Sequence, residues 1–253
     1  MSACDNATVN DVEEARLSGG AIDRLGERLR AAIDVAPEDL AMLQRLRREY
    51  DEALVHARAT VVEAAPGLSP TSRLKTVQTL VGKLQREEKM ALSRVQDIAG
   101  LRIVRKMSLA EQDLLTSAIV SVFPDAKIVD RRAKPSFGYR AVHLVVKVDG
   151  RPVEIQLRTH LQDRWAQIVE RMADHWGRNI RYGAGPDDPT SVVARYTRAE
   201  VVEMARRLSP LIDQCEKSES MHGRRISLSN DLFCQSVADT MSLFGRLGVV
   251  GTA

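Results

Sequence analysis

Residues 139–159 alternate between apolar and polar side chains on both sides of an Asp149-Gly150 pair. The pair predicts a two-residue hairpin turn, because both turn positions need a positive φ and glycine adopts it at low cost. Period-two alternation then assigns every second residue to the same face of the two strands. Six aliphatic residues share one face: Val142, Leu144, Val146, Val153, Ile155 and Leu157. The sequence therefore predicts a hairpin with one face in the core.

The opposite face of the predicted hairpin carries side chains that are capable of chemistry. They are Tyr139, His143, Glu154, Gln156 and Arg158. A two-residue loop places His143 opposite Gln156 and Ala141 opposite Arg158, and the apolar set excludes a shift by one residue. Solvated faces of antiparallel sheets usually carry Lys, Glu and Thr, so we interpret this face as an active site. A plain solvated face is the alternative that the pattern leaves open.

Helical periodicity flanks the hairpin on both sides. The pattern predicts helices near 22–33, 37–65, 109–122 and 160–180, and from about 190 to 217, with a less regular tail after them. Strands are predicted at 101–105 and 127–130. Ser69 to Ser72 supply N-cap residues for a further helix, whose apolar face is Val77, Leu80, Val81 and Leu84. This order predicts an α+β fold, a mixed sheet flanked by helices with helical N- and C-terminal extensions.

The same pattern predicts how the chain is organised along its length. Residues 1–20 are expected to form a flexible tail that ends in Ser18-Gly19-Gly20. An N-terminal helical segment follows at 21–68, then a core at 69–183 that contains the hairpin. Residues 184–253 are expected to form a C-terminal helical segment, because Gly183 and the following Gly and Pro residues break the chain.

Composition narrows the class of protein. Of 253 residues, 44% are hydrophobic and 28% are charged, as in an ordinary soluble globular protein. Cys4, Cys215 and Cys234 are odd in number and form no CxxC pair, which argues against a disulfide framework and a cysteine zinc site. The N-terminus has no signal-peptide pattern, and no apolar run approaches membrane-spanning length. We therefore expect a cytoplasmic protein with no membrane partner.

Carboxylates and basic residues indicate phosphoryl-type transfer. Asp97 precedes a predicted strand and Glu154 lies on the polar face, so the two could hold one Mg²⁺, which needs only one or two carboxylates. The basic residues that could contact a polyphosphate or a base are Arg73, Lys75, Lys83 and Arg102. Taken singly, each of these residues is as well explained by a helix cap, by packing or by solvated surface. The prediction depends on their convergence.

Four motifs stand in series between about residues 70 and 180. They are Ser72-Arg73-Leu74-Lys75 with Lys83, DIAGLRIV at 97–104, KPSFGYRAVH at 134–143, and VEIQLRT at 153–159 with Trp165-Ala166. Together they resemble the synthetase domain of the RelA/SpoT family in its small, single-domain form. The resemblance implies a fold related to nucleotidyltransferases. It also implies transfer of the β,γ-pyrophosphate of ATP to a ribose 3′-hydroxyl, usually that of GDP or GTP, to make an alarmone.

The resemblance implies a role for each motif residue. ATP would be bound by two arginines that sandwich the adenine and two lysines that hold the phosphates: Arg73, Arg102, Lys75 and Lys83. Asp97 and Glu154 would hold Mg²⁺, and Glu154 would help to deprotonate the attacking hydroxyl. Tyr139 would stack on the acceptor base. Lys134 and His143 would contact the acceptor phosphates. Gln156 and Arg158 also match the acceptor-side motif.

Two departures from the family pattern lie toward the acceptor. Ala141 stands where the family commonly has Ser, so a hydrogen bond worth about 1 kcal/mol is missing. Val169 and Glu170 stand where the family usually has a Glu-His pair. The resemblance therefore leaves two further functions open. One is a toxic synthetase that pyrophosphorylates the 3′ end of tRNA or makes adenosine alarmones, with an antitoxin as partner; the other is a catalytically degenerate nucleotide-binding regulator.

Further features bear on partners of the chain. A tRNA acceptor would need a basic approach to the site, for which the candidates are Arg131, Arg132, Lys134, Arg171, Arg178 and Arg181. Such charges are commonly solvated surface instead. Small members of the family often assemble through terminal helices, so the resemblance also leaves a homo-oligomer open.

Overall fold

The computed structural model of the chain describes residues 16–222 and 228–246. Most of the predicted tail, residues 1–15, lies outside these ranges. The helices are α1 Gly19–Ala31, α2 Pro37–Ala64, α3 Val77–Arg86, α4 Leu109–Val122, α5 His160–Trp176, α6 Arg198–His222 and α7 Leu228–Arg246. The strands are β1 Thr71–Leu74, β2 Ala99–Arg105, β3 Lys127–Asp130, β4 Val142–Val148, β5 Arg151–Thr159, β6 Val192–Val193 and β7 Tyr196–Thr197. Short 3₁₀ helices span Leu92–Arg94 and Arg178–Tyr182.

The described residues divide into two compact units, of which the first contains residues 16–49 and Lys75–Val95. Polar side chains start two of its helices: Ser18 accepts a hydrogen bond at the start of α1, and Thr76 does so for α3. α1 packs against α3 and against the 3₁₀ helix at Leu92–Arg94. The core of this unit consists of buried leucines and isoleucine from these elements: Ile22, Leu25, Leu29, Leu80, Leu84 and Leu92.

The second unit contains Tyr50–Leu74 and the described residues from Gln96 to 246, and its centre is a five-stranded sheet of order β1-β2-β5-β4-β3. β2 and β5 pair in parallel, and the other neighbouring strands pair antiparallel. The sheet is therefore mixed, and helices flank it, which confirms the predicted α+β class. Within the described residues, no helix is both long and apolar enough to cross a lipid bilayer.

The predicted hairpin is confirmed in its turn, register and faces. Asp149 and Gly150 both have positive φ, 49° and 76°, and β4 and β5 pair so that His143 lies opposite Gln156. The six aliphatic residues of the apolar face are buried, none more than 1% exposed: Val142, Leu144, Val146, Val153, Ile155 and Leu157. Burial of this face fixes the register, because a shift by one residue would turn all six toward the polar side.

Helices α5, α6 and α7 share a second apolar core. Trp165, Met172 and Trp176 of α5 are buried with residues of α6 and with Val237, Met241 and Phe244 of α7. The predicted less regular tail is therefore wrong for residues 228–246, which form α7. α5 ends at Trp176 rather than near 180, because the next residue, Gly177, has φ 125° and directs the chain out of the helix.

The predicted helix start at Ser69 to Ser72 is also wrong. Residues Thr71–Leu74 form β1, which pairs antiparallel with β2, and Thr76 caps the helix that follows. Pairing with a distant strand decided the structure here, and local N-cap preference cannot reveal such a partner. Two further details differ from the prediction. β2 begins at Ala99 rather than at Leu101, and a short β6–β7 hairpin precedes α6.

Candidate active site

Two rows of paired residues cross the sheet on the face opposite the apolar core. One row contains Arg102, Gln156 and His143, and the other contains Arg73, Gly100 and Glu154. Paired residues share a face, and so do residues two apart along a strand. The side chains of β1, β2, β4 and β5 in these rows therefore project from one surface. Gly100 has no side chain, which leaves that surface open between Arg73 and Glu154.

A closed ring of hydrogen bonds joins the five polar residues of the hairpin. Tyr139 Oη lies 2.8 Å from His143 Nε2, and His143 Nδ1 lies 2.7 Å from Glu154 Oε1. Gln156 Nε2 donates to Glu154 Oε2 at 2.7 Å. Arg158 Nη2 closes the ring by donating to Gln156 Oε1 at 2.9 Å and to Tyr139 Oη at 3.0 Å. The structure thus brings together all five residues that the alternation pattern assigned to one face.

The ring has a consistent direction of proton donation. Arginine only donates, so Tyr139 Oη accepts from Arg158 and gives its own proton to His143 Nε2. His143 Nδ1–H then donates to Glu154, and the Gln156 amide accepts from Arg158 while its NH₂ donates to Glu154. This pattern gives every ring contact one donor and one acceptor when His143 is neutral and Glu154 is ionised, and it leaves the buried Arg158 Nε without a hydrogen-bond partner among the described residues. Both carboxylate oxygens of Glu154 are thereby held in place.

The pKa values of two ring members support this protonation pattern. Burial acts to raise the pKa of Glu154, but the hydrogen bonds from His143 and Gln156 outweigh it, so the pKa lies below its ordinary value. Burial raises the pKa of the Tyr139 phenol, against the opposing charge of Arg158. At neutral pH the site therefore presents a carboxylate beside a neutral phenol.

Arg158 is anchored by residues that are not among the predicted site residues. It is 2% exposed, donates from Nη1 to Asp163 Oδ1 at 3.0 Å, and places its guanidinium 5.1 Å from the centre of the Tyr139 ring. Glu170 of α5 lies 4.0 Å from Arg158 and 3.6 Å from Arg102. Asp163 lies in the first turn of α5, which begins directly after Thr159. Its closeness to Arg158 in the sequence is a local signal for this pair. No sequence signal identified Glu170 as a partner of both arginines.

Asp97 and Glu154 fit a Mg²⁺ site. Asp97 is half-buried two residues before β2, and its negative charge acts to raise the pKa of Glu154. Each Glu154 oxygen accepts one hydrogen bond and keeps a second lone pair for a cation. Within residues 16–222 and 228–246, no group of three or more His, Cys, Asp or Glu side chains is arranged to hold a metal. Two carboxylates suit Mg²⁺, because waters and phosphate oxygens complete its octahedron.

The other predicted site residues fall in different places. Arg73 is exposed on β1 and is a diagonal neighbour of Arg102, which is 26% exposed, across the β1–β2 pair. Lys134 is exposed in the loop before the hairpin. Lys75 and Lys83 belong to the first unit, Lys75 directly after β1 and Lys83 in the last turn of α3. Their predicted contacts with ATP phosphates stay predictions.

The basic residues proposed as an approach for tRNA divide into two groups. Arg132 binds Asp130 and Asp113, at 2.7 and 2.6 Å, and Arg181 binds Asp174. These two arginines are held by carboxylates of the chain itself. The remaining four are half-buried or exposed: Arg131, Lys134, Arg171 and Arg178. Ala141, the first departure from the family pattern, is fully buried.

Comparison with known proteins identifies the family of the chain. The model for the region found in RelA/SpoT proteins matches residues 72–177. Uncharacterized proteins from Mycobacterium bovis and Mycobacterium tuberculosis are 35% identical over 190 residues, which cover 73% of this chain and 69% of theirs. The matched region contains most of β1, all of β2 to β5 and α5, and with them all eleven predicted site residues.

Solved structures show the same fold. Small alarmone synthetase 1 from Bacillus subtilis, bound to its product pppGpp, is 22% identical with a TM-score of 0.54, and the match covers 74% of this chain and 100% of that one. A GTP pyrophosphokinase family protein from Streptococcus pneumoniae is 20% identical with a TM-score of 0.51, covering 83% and 98%. Sequence and fold agree, and the chain belongs to the RelA/SpoT family.

Proposed function

We propose that this chain transfers the β,γ-pyrophosphate of ATP to the ribose 3′-hydroxyl of GDP or GTP. Family membership supports this reaction class, and one observation carries it: Glu154 is ionised and fixed by His143 and Gln156. Pyrophosphate transfer is achieved mainly by positioning and charge stabilisation, so a fixed carboxylate on the face that also carries Arg73 and Arg102 suits it.

The β1–β2 end of the polar face suits the adenine of ATP. Arg73 and Arg102 are diagonal neighbours, and diagonal Cβ atoms in an antiparallel pair are about 7–8 Å apart. That separation admits one flat base between two guanidinium planes. Arginine is suited to this contact because its planar cation stacks on aromatic rings, which the lysine ammonium does not.

The carboxylate pair would hold Mg²⁺ between the two substrates. When bound, the cation would neutralise charge on the transferred phosphates. The lowered pKa of Glu154 makes it a weak base but a permanent hydrogen-bond acceptor at neutral pH. We therefore assign Glu154 to orienting the 3′-hydroxyl and receiving its proton late in the transfer, with His143 Nδ1–H holding the carboxylate in place.

The β4 end of the polar face suits the acceptor. Tyr139 presents an aromatic ring, one face of which lies under the Arg158 guanidinium. Its other face is assigned to the acceptor base. Lys134, exposed in the loop before the hairpin, is assigned to acceptor phosphates. Both ring nitrogens of His143 are used within the hydrogen-bond ring, so its predicted contact with an acceptor phosphate would require one of those bonds to break. Gln156 and Arg158 hold these groups in position through the hydrogen-bond ring.

The 3′ end of tRNA is the second candidate acceptor, and four basic residues favour it. Arg131, Lys134, Arg171 and Arg178 are not among the arginines held by Asp130, Asp113 or Asp174. A polynucleotide would contact such residues through its phosphates, and its binding would weaken steeply with salt. An adenosine nucleotide as acceptor would not need them.

A labelling experiment separates these acceptors. Purified protein is incubated with γ-³²P-ATP and Mg²⁺ and is offered GDP, GTP, AMP or deacylated tRNA in separate reactions. Label on a guanosine nucleotide supports the proposed function. Label on tRNA that disappears after periodate oxidation of its 3′ end supports the second candidate. Transfer to no acceptor, by protein that still binds ATP, contradicts both and supports a nucleotide-binding regulator.

A further inference from the structure

Helix α6 holds the loop that precedes β4. We define this loop, residues 134–140, as the acceptor loop. Ser209 Oγ of α6 donates to the Gly138 carbonyl at 2.6 Å and accepts from Arg140 Nε at 3.2 Å. Arg140 Nη1 also donates to Asp213 Oδ1, one turn further along α6, at 3.2 Å. Both sides of Tyr139 in the sequence are therefore bonded to the same helix.

Close packing reinforces these bonds. Phe137 and Gly138 both have positive φ, 52° and 92°, and form a tight turn in which Ser136 and Tyr139 exchange main-chain hydrogen bonds. A Cβ atom on Gly138 would lie 2.8 Å from Trp165 Cζ2 and 3.3 Å from the Ser209 Cβ. The turn thus fits between α5 and α6, and only glycine fits at this point.

The bonds from α6 are shielded from water. Ser209 is 2% exposed, and the Arg140 and Asp213 side chains are 13% and 16% exposed. A buried carbonyl that loses its donor costs more than the hydrogen bond contributed, so the turn should loosen when Ser209 is truncated. α6 begins at Arg198, beyond residue 177 where the family match ends. The anchor therefore lies outside the matched family region.

We propose that Ser209 and Asp213 are positioning residues that fix the acceptor loop and thereby set the affinity for the acceptor. They act through Gly138 and Arg140, which orient Tyr139, and they do not touch the substrates. The consequence for catalysis rests on the proposed function, but the ordering of the loop does not. Acceptor affinity in this chain is accordingly determined in part by its C-terminal helices.

The test compares full-length Ser209→Ala and Asp213→Asn with Glu203→Gln. Glu203 lies on the same helix, is half-exposed and pairs only locally with Arg207, so it controls for loss of charge on α6. Hydrogen–deuterium exchange is followed in a peptide covering residues 134–141. In parallel, KM is measured for ATP and for GDP, or for tRNA if tRNA accepts the label. Thermal unfolding reports whether each variant is folded.

We expect faster exchange in the acceptor loop of Ser209→Ala and a rise of about tenfold in the acceptor KM, with the ATP KM within about twofold of wild type. Asp213→Asn, which can still accept from Arg140, should show a smaller change in the same direction. Equal increases in both KM values, or unchanged loop exchange in folded Ser209→Ala, would overturn the proposal. If the chain transfers pyrophosphate to no acceptor, the proposed function fails while the exchange measurement still decides whether α6 orders the loop.

Discussion

The two ends of the polar face differ in how their side chains are held. At the β1–β2 end, Arg73 is exposed and Arg102 contacts Glu170 at 3.6 Å. At the β4–β5 end, five side chains form a closed ring in which every hydrogen bond is 3.0 Å or shorter. The first end offers Arg73 on the exposed edge strand β1 and a partly exposed Arg102 on β2. The second end is a preorganised hydrogen-bond network that holds its side chains in fixed positions.

This difference separates binding from preorganisation. A ring that is complete without substrate needs no reorganisation when charge develops on the reacting groups, which is how polar sites stabilise transition states. Exposed and partly exposed arginines must instead be ordered by the ligand, at a cost in side-chain entropy. Substitutions in the ring should therefore change stability and catalysis together. Substitutions of Arg73 and Arg102 should change ATP binding alone.

The strongest test of the comparison is Glu154→Gln. The substitution keeps the shape of the side chain but removes the negative charge that accepts a hydrogen bond from His143. We expect pyrophosphate transfer to fall by about a thousandfold or more, because both the cation site and the acceptor contact are lost. Initial rates with saturating ATP and the acceptor identified by labelling give the measurement.

The matched control for this prediction is Glu203→Gln, which removes a half-exposed carboxylate near the start of α6 and should leave the rate unchanged. A folded Glu154→Gln protein with more than about a tenth of the wild-type rate would show that the carboxylate is not central to catalysis. A pure nucleotide-binding protein would bind ATP equally well in both variants and transfer nothing in either.

The next largest effect is expected from Arg158→Met, which breaks the ring where it is most buried. Arg158 is 2% exposed, and its loss leaves the buried Asp163 carboxylate without its charged partner. Removing one member of a buried ion pair typically costs about 3–5 kcal/mol, and we expect a loss of that size in the free energy of unfolding. Urea denaturation of both proteins measures it.

Arg181→Met is the control for Arg158→Met. Arg181 also pairs with an aspartate, but its side chain is 38% exposed and that of Asp174 is 61% exposed. An exposed pair contributes about 0–1 kcal/mol, so this variant should unfold close to wild type. Equal losses in the two variants would mean that the ring does not stabilise the fold more than a surface pair does.

At the β1–β2 end we expect substitutions to weaken ATP binding without lowering stability. Arg73→Lys and Arg102→Lys keep the charge but remove the planar surface that we assign to adenine. We expect the KM for ATP to rise by about tenfold, with the acceptor KM and the stability unchanged. Arg207→Lys on the outer surface of α6 should change none of the three quantities. A loss of stability in Arg73→Lys, or a rise in the acceptor KM, would remove the distinction between the two ends.

Sequence alone predicted the ring's membership but not its bonds. A two-residue turn and strict alternation are local signals, and they place Tyr139, His143, Glu154, Gln156 and Arg158 on one face without any tertiary information. Which of them bond to each other depends on rotamers that the pattern does not contain. The same limit explains Arg132, which the sequence offers as a nucleic-acid contact and the structure binds to Asp130 and Asp113.

Most of what the sequence did not predict depends on contacts between residues that are far apart along the chain. β1 is four residues long, and its strand state depends on pairing with β2, so local N-cap residues suggested a helix instead. Ser209 is an ordinary serine in an amphipathic helix until the fold places it against Gly138. The roles of Lys75 and Lys83 rest on the family resemblance alone and stay predictions.

The smallest predicted effect concerns acid stability and again separates the ring from the rest of the molecule. The pKa of Glu154 lies below its ordinary value of 4.5 in the folded chain, so near that pH the unfolded chain binds more protons than the folded one. The contribution of Glu154 to stability is therefore complete above about pH 4.5 and is lost as the pH falls through the lower, folded-state pKa. Chemical denaturation from pH 7 to pH 3 measures it in wild type and Glu154→Gln.

The stability difference between wild type and Glu154→Gln should shrink as the pH falls below that value, because only wild type loses this contribution on protonation. Asp130→Asn provides the comparison outside the ring. Burial acts to raise the pKa of Asp130, but its hydrogen bonds with Arg132 outweigh burial and lower the pKa. A pH-independent difference for Glu154→Gln, beside a shrinking one for Asp130→Asn, would mean that the ring does not hold Glu154 as an ionised carboxylate. Its direction of proton donation would then have to be reversed, with the proton on Glu154 and not on His143 Nδ1.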